Sequence, residues 1–159
     1  MALEYGFRAT EAVAASSVVV DLRNFTPNLR ASKTDELGVS VFCRFLAEFH
    51  AICLDACSVA VPDVNIDIPP FLLWSSGDGV IVCFTDPERH VHHAYLSALV
   101  MQGVLRGICG EYNRSSVPRG VPKLSFGIGL ESGKVWGVHA ERNNGGPDVH
   151  TYVGHCINV

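Results

Sequence analysis

The stretch SSVVVDLRNFTP, residues 16–27, decides how the chain reads. Three consecutive valines, Val18 to Val20, favour extended backbone, because branching at Cβ restricts χ1 and crowds a helix. The run SSVVVDL therefore predicts a strand buried on both faces and closing on an acid, Asp21. Beyond it the chain must turn. Thr26 followed by Pro27 predicts a short helix with Thr26 as its cap, since proline suits the first helical turn. Backbone N–H groups around Asn24, Phe25 and Thr26 are then free to receive phosphate oxygens beside a carboxylate.

Working outward, apolar residues recur at helical spacing from Asp35 to about Cys57, through Leu37, Val41, Phe45, Phe49, Ile52 and Cys53. That pattern predicts a long amphipathic helix. Two strand-like segments follow, VNIDI with PPFLLW (residues 64–74) and VIVCF (80–84), joined by Ser75-Ser76-Gly77-Asp78-Gly79. Asp-Gly between apolar runs is a hairpin signal, and the flanking glycines let the turn approach a ligand closely. A second helix is expected from about Pro87 to Tyr112, with Asp86 as its cap. KLSFGIGL and KVWGVHA, separated by Glu131-Ser132-Gly133, read as another hairpin, and VHTYVG as a last short strand. The predicted class is α+β, with helices on one face of a mainly antiparallel sheet, as in ferredoxin-like folds.

If the hairpin pairs beside the first strand, Asp21 and Asp78 project from the same rim of the sheet. Two carboxylates that close repel unless cations lie between them, and hard oxygen donors suit Mg²⁺ or Mn²⁺. Such a pair forms the core of many two-metal phosphoryl-transfer sites.

Bulk properties set the frame. With 159 residues the chain makes a single domain, and 48% hydrophobic against 18% charged residues describes a packed globule. A formal charge of −4 argues against a nucleic-acid partner, which would need clustered Lys and Arg. No uninterrupted apolar run and no basic leader mark a membrane segment or an export signal, so a cytoplasmic location is expected. The six cysteines form no CxxC pair and read as buried reduced thiols.

Four motifs together resemble one known family. DLRNFTP (21–27) is similar to the D-[IL]-x-x-F-T segment of class III adenylate and guanylate cyclases, and SSGDGVIVCF (75–84) to their T-I-G-D-G hairpin. FGIGLESGKVWGV (126–138) resembles their G-I-x-x-G-x-V-x-x-G segment, and YVGHCINV (152–159) their Y-x-x-x-G-D-x-V-N. The resemblance runs from about Ser17 to Val159 and implies a single nucleotidyl cyclase catalytic domain over residues 1–159. It implies that Asp21, Asp78 and the carbonyl of Leu22 hold two Mg²⁺ or Mn²⁺ ions, and that Phe25 and Thr26 belong to the segment cradling the triphosphate. Asn158 would orient the ribose. Trp74 and Thr151 fall where the family selects its base: Thr151 is compatible with adenine, while Trp74 matches neither the adenylate nor the guanylate pattern.

In the family one ion acidifies the 3′-hydroxyl, the other binds the triphosphate, and the oxygen attacks the α-phosphorus in line, expelling pyrophosphate. The working unit is a head-to-tail homodimer with sites in its interface. The family's transition-state arginine lies four residues past its asparagine, a position beyond Val159, so a C-terminal segment is expected to be lacking. The expected activity is that of an adenylate or guanylate cyclase, a phosphorus-oxygen lyase, ATP being preferred. The alternative is a degenerate cyclase-homology domain that binds nucleotide or a partner without turnover.

Other residues carry less. His90, His92 and His93 read as exposed histidines at a helix start, lacking a third zinc ligand at a helical step. His50 reads as a hydrogen-bonded packing residue. Arg23, Arg30 and Lys33 either neutralise a triphosphate or form a solvated surface. No acyl-transfer triad, phosphate-binding P-loop or GG[DE]EF turn is present.

Overall fold

The computed structural model describes residues 5–34, 36–61, 71–118, 120–142, 149–154 and 156. Its elements are β1 (Tyr5–Arg23), α1 (Phe25–Ser32), α2 (Glu36–Ala60), β2 (Phe71–Ser75), β3 (Gly79–Phe84), α3 (His90–Ser115), β4 (Ser125–Arg142) and β5 (Val149–Gly154). The strands form a five-stranded sheet in the order β2-β3-β1-β4-β5, with every pairing antiparallel. The α+β expectation holds, with the valine run at the centre. VNIDI lies outside the described residues.

Side-chain alternation along each strand separates the two faces. Val18, Val20 and Leu22 of β1 and Val80, Val82 and Phe84 of β3 point into one large core. Over them α2 lays Phe42, Phe45, Phe49, Cys53, Ala56, Cys57 and Ala60, at the three- and four-residue steps that make one helical stripe. From α3 come Ala94, Ala98, Met101, Leu105, Cys109 and Tyr112. Each large apolar side chain buried here contributes roughly 1.5–3 kcal/mol before entropy is counted. On the opposite face, among the described residues, no helix packs, and a small cluster forms from Ala15, Cys83, Val135 and Cys156 with Trp74 against it. On that face Ala15 and Ser17 of β1 are buried while Val19 and Asp21 are partly exposed, so the burial on both sides that the valines suggested is only partial.

The helix boundaries differ from expectation by a few residues. α2 runs three residues past Cys57, to Ala60, and α3 starts at His90 after a turn over Pro87–Arg89. The Asp86 carboxylate accepts from the N–H groups of Glu88 and Arg89, so it caps that turn rather than the helix proper.

Two larger corrections concern the strands. No hairpin forms at Glu131-Ser132-Gly133; β4 passes straight through. Glu131, Ser132 and Gly133 pair with Ser17, Ser16 and Ala15 of β1, and the Ser132 hydroxyl meets that of Ser16 at 2.6 Å. The polar residues that looked like a turn have cross-strand partners instead. β1 likewise extends back to Tyr5, and its pairing with β4 slips once, between Ala9 and Ala12.

Three smaller corrections follow. Among the described residues α2, at 25 residues, is long and apolar enough to cross a membrane, contrary to the reading from uninterrupted runs. Its polar interruptions, Arg44, Glu48 and Asp55, are exposed, while its aromatic stripe faces the sheet. His93 is buried, and burial pushes it below the ordinary imidazole range against the opposing pull of Asp86. His90 is tied through Nδ1 to the Ser16 hydroxyl at 2.8 Å, leaving only His92 of the three exposed. His50 packs edge-on against Phe49, and its Nε2 finds no hydrogen-bond partner among the described residues.

The cysteines are free, and all but Cys43 are buried. Burial pushes the thiols of Cys53, Cys57 and Cys83 up to about 12, so they stay protonated and unreactive at neutral pH.

Candidate active site

Asp21 sits near the end of β1 opposite Gly79, the first residue of β3, and opposite Gly127 of β4. The tip of the β2–β3 hairpin is fastened to the same rung. The Leu22 N–H donates to the Asp78 carbonyl at 2.8 Å. Within the tip, the Ser76 N–H donates to the Gly79 carbonyl at 2.9 Å and the Asp78 N–H to the Ser76 carbonyl at 3.0 Å. Gly77 has φ +80°, a conformation that glycine adopts without the steric cost of a Cβ. A Cβ on Gly79 would lie 3.1 Å from the Ser76 hydroxyl and 3.2 Å from the Val20 carbonyl, so this glycine lets the tip close onto β1.

The β2–β3 hairpin pairs beside β1, and its register sets the backbone of Asp78 against Leu22, next to Asp21. Asp78 is half-buried, and the Asp21 side chain is 41% exposed on the face over which no described helix packs. With the Leu22 carbonyl on the same rung, the donors on offer are hard oxygens, a set that fits Mg²⁺ or Mn²⁺ rather than a soft metal. Against Asp21 lies a group the sequence reading left open: Arg23 Nη1 stands 2.9 Å from Asp21 Oδ2.

After β1 the chain turns through Asn24, whose φ of 63° and ψ of 24° are left-handed. Asn24, not Thr26, is the residue before α1, and its side chain caps no helix N–H but is used elsewhere: Nδ2 donates to the Lys123 carbonyl at 2.8 Å. Asn28, fully buried, donates to the carbonyls of Asn24 and Pro122, both at 2.9 Å, and so pins α1 to the segment ahead of β4. Phe25 turns inward, its ring 5.5 Å from that of Phe42, while Thr26 is exposed. Their N–H groups lie in the first turn of α1, where a helix supplies no acceptor of its own.

Replacing Asn24 by alanine is expected to cost about 1–2 kcal/mol, because alanine tolerates the left-handed turn poorly and loses the Lys123 bond. Asn24→Gly should cost less, since glycine adopts this φ freely. Urea unfolding of both variants checks the order, and equal losses would contradict it.

The remaining expected residues lie apart. Trp74 is on β2, packed against the second cluster. Thr151 is on β5 opposite Val138, five residues before Cys156 of that same cluster. The cluster is closed by Ser17, whose hydroxyl donates to the Cys156 carbonyl. Asn158 lies outside the described residues.

No protein-family model and no curated protein sequence matches this chain. Solved structures do match in fold. The adenylyl cyclase CyaB from P. aeruginosa superposes with a TM-score of 0.64 at 16% identity, over 95% of this chain and 70% of its own. The guanylyl cyclase Cya2 gives 0.59 at 19% identity, over 95% and 68%. A class III adenylyl cyclase-like ATP-binding protein from Pseudomonas aeruginosa gives 0.62 at 17% identity, with 92% of this chain covering 30% of that one. At these identities the likeness is one of fold.

Proposed function

We propose that this chain, whose fold is that of class III cyclase catalytic domains, is itself a nucleotidyl cyclase domain. It converts a nucleoside triphosphate, ATP more readily than GTP, into the 3′,5′-cyclic monophosphate and pyrophosphate. The observation that carries this reading is the Leu22–Asp78 hydrogen bond, which locks the hairpin tip beside Asp21 so that two acidic residues share one rim.

Asp21, Asp78 and the Leu22 carbonyl would hold two Mg²⁺ or Mn²⁺ ions. When bound, such ions supply charge neutralisation at the phosphates and a lower pKa for the ribose hydroxyl. The protein's own part is positioning. The first-turn N–H groups of α1 receive phosphate oxygens, and the inward anchoring of Phe25 on Phe42 fixes where those groups stand. Asn158 orients the ribose, Thr151 offers a hydroxyl to adenine, and Trp74 offers an indole face on which a purine stacks. The face of the sheet over which no described helix packs, with Val13 exposed and Val19 partly exposed on β1, offers apolar surface for a head-to-tail homodimer.

The test is incubation of the chain with ATP or GTP and Mn²⁺, followed by chromatography of the products. Cyclic AMP in excess of cyclic GMP, abolished by a chelator, is the expected result. The packing of Trp74 in an apolar cluster favours a second reading, a nucleotide-binding domain without turnover. Nucleotide-dependent thermal stabilisation without any cyclic product would decide for it.

A further inference from the structure

We propose that Arg23 is a resident counter-ion of the site, covering Asp21 until a triphosphate draws it away, and that it thereby couples metal binding to nucleotide binding. This inference rests on the two-carboxylate reading above. Arg23 and Asp21 are two residues apart on β1 and so emerge on the same face of the sheet. The guanidinium Nη1 is 2.9 Å from Asp21 Oδ2.

The neighbouring strand makes room for this arrangement. Gly127 is the cross-strand partner of Asp21, and a Cβ built on it would stand 3.2 Å from Arg23 Nη2 and 3.4 Å from Nε. The guanidinium therefore rests on the bare backbone of Gly127. A side chain at 127 would lift it off.

The consequence follows from electrostatics. An Asp21 oxygen that accepts an arginine N–H cannot offer the same lone pair to a cation, and the guanidinium's charge repels a dication beside it. Asp21 Oδ1 stays open, but a dication bound there lies close to the guanidinium, so binding a metal ion alone works against this pair. With a side chain 65% exposed, Arg23 is free to swing, and a planar guanidinium matches phosphate oxygens as well as it matches a carboxylate. When a triphosphate arrives with its metal, Arg23 exchanges one anion for another and the penalty disappears.

The experiment is titration of Mn²⁺ into the full chain, followed by electron paramagnetic resonance of the free ion, with and without a non-hydrolysable nucleoside triphosphate. Arg23→Gln should bind Mn²⁺ alone about two- to fivefold more tightly, the worth of an exposed ion pair. The same variant should bind the triphosphate in saturating Mn²⁺ about tenfold more weakly, since a charge-assisted contact is lost. Opposite signs are the signature. Arg23→Lys, which keeps the charge, should restore much of the wild-type pattern, and a merely structural arginine would not give that rescue.

Mn²⁺ binding that Asp78→Asn abolishes but Arg23→Gln leaves unchanged would overturn the counter-ion role alone. Mn²⁺ binding that neither Asp78→Asn nor Asp21→Asn weakens would overturn the carboxylate site, and the role of Arg23 with it.

Discussion

Asp78→Ala is expected to reduce metal-dependent triphosphate turnover by on the order of 10³-fold or more, and Asp21→Ala to do the same, because each removes a carboxylate that neutralises the reacting phosphates. Stability should hardly change. The Asp21 side chain is 41% exposed and Asp78 half-buried, and the ion pair of Arg23 with Asp21 is exposed and worth at most about 1 kcal/mol. What fastens the hairpin tip is the Asp78 backbone carbonyl, which the substitution leaves in place. Product formation from ATP and Mn²⁺, beside thermal unfolding of each variant, separates the two effects. Turnover within tenfold of wild type in either variant would remove the proposed mechanism.

Phe42→Ala is expected to cost about 3–5 kcal/mol, the range for deleting a buried aromatic ring from a core that cannot collapse around the gap. Phe42 is 1% exposed, and its ring meets those of Phe25 at 5.5 Å, Phe45 at 6.4 Å and Tyr112 at 6.0 Å. Against a total stability of about 5–15 kcal/mol such a loss leaves little reserve. It also frees Phe25, the anchor of α1, so affinity for triphosphate should fall along with stability. Urea unfolding gives the first quantity and nucleotide titration of the still-folded fraction the second. A loss below about 1 kcal/mol would mean that the aromatic cluster joining α1, α2 and α3 does not form in solution.

Much of the fold was legible because its signals are local. The stripe through Phe45, Phe49, Cys53 and Cys57, the Ser75–Gly79 turn and the valine run each declare themselves within a dozen residues, although Leu37, counted into that stripe, is exposed. The continuity of β4 was not legible. Glu131-Ser132-Gly133 has the composition of a turn, and what keeps it extended is Ser16, 116 positions earlier, which no local pattern reports. The first half of β1 was missed for the same reason. Its RATEAVAA stretch has weak strand character of its own and gains it from pairing with β4.

The site divides along the same line. Asp21 and Asp78 were readable because a strand end and a glycine-flanked turn fix each one locally. The pairing of Arg23 with Asp21 was not, because a long side chain goes where space permits, and that space is set by Gly127 across the sheet. Nor was the part played by Asn28, whose partners Asn24 and Pro122 lie on separate segments.

The central place of β1 has a consequence for how the chain is born. Synthesised before both of its neighbours, it finds β3 only after about sixty further residues and β4 only after more than a hundred, so its Val18-Val19-Val20 run must wait unpaired for both. Folding dominated by such distant partners is slow, and a waiting apolar strand invites association with other nascent chains. Aggregation during rapid overexpression, relieved by lower temperature, is the behaviour this topology dictates.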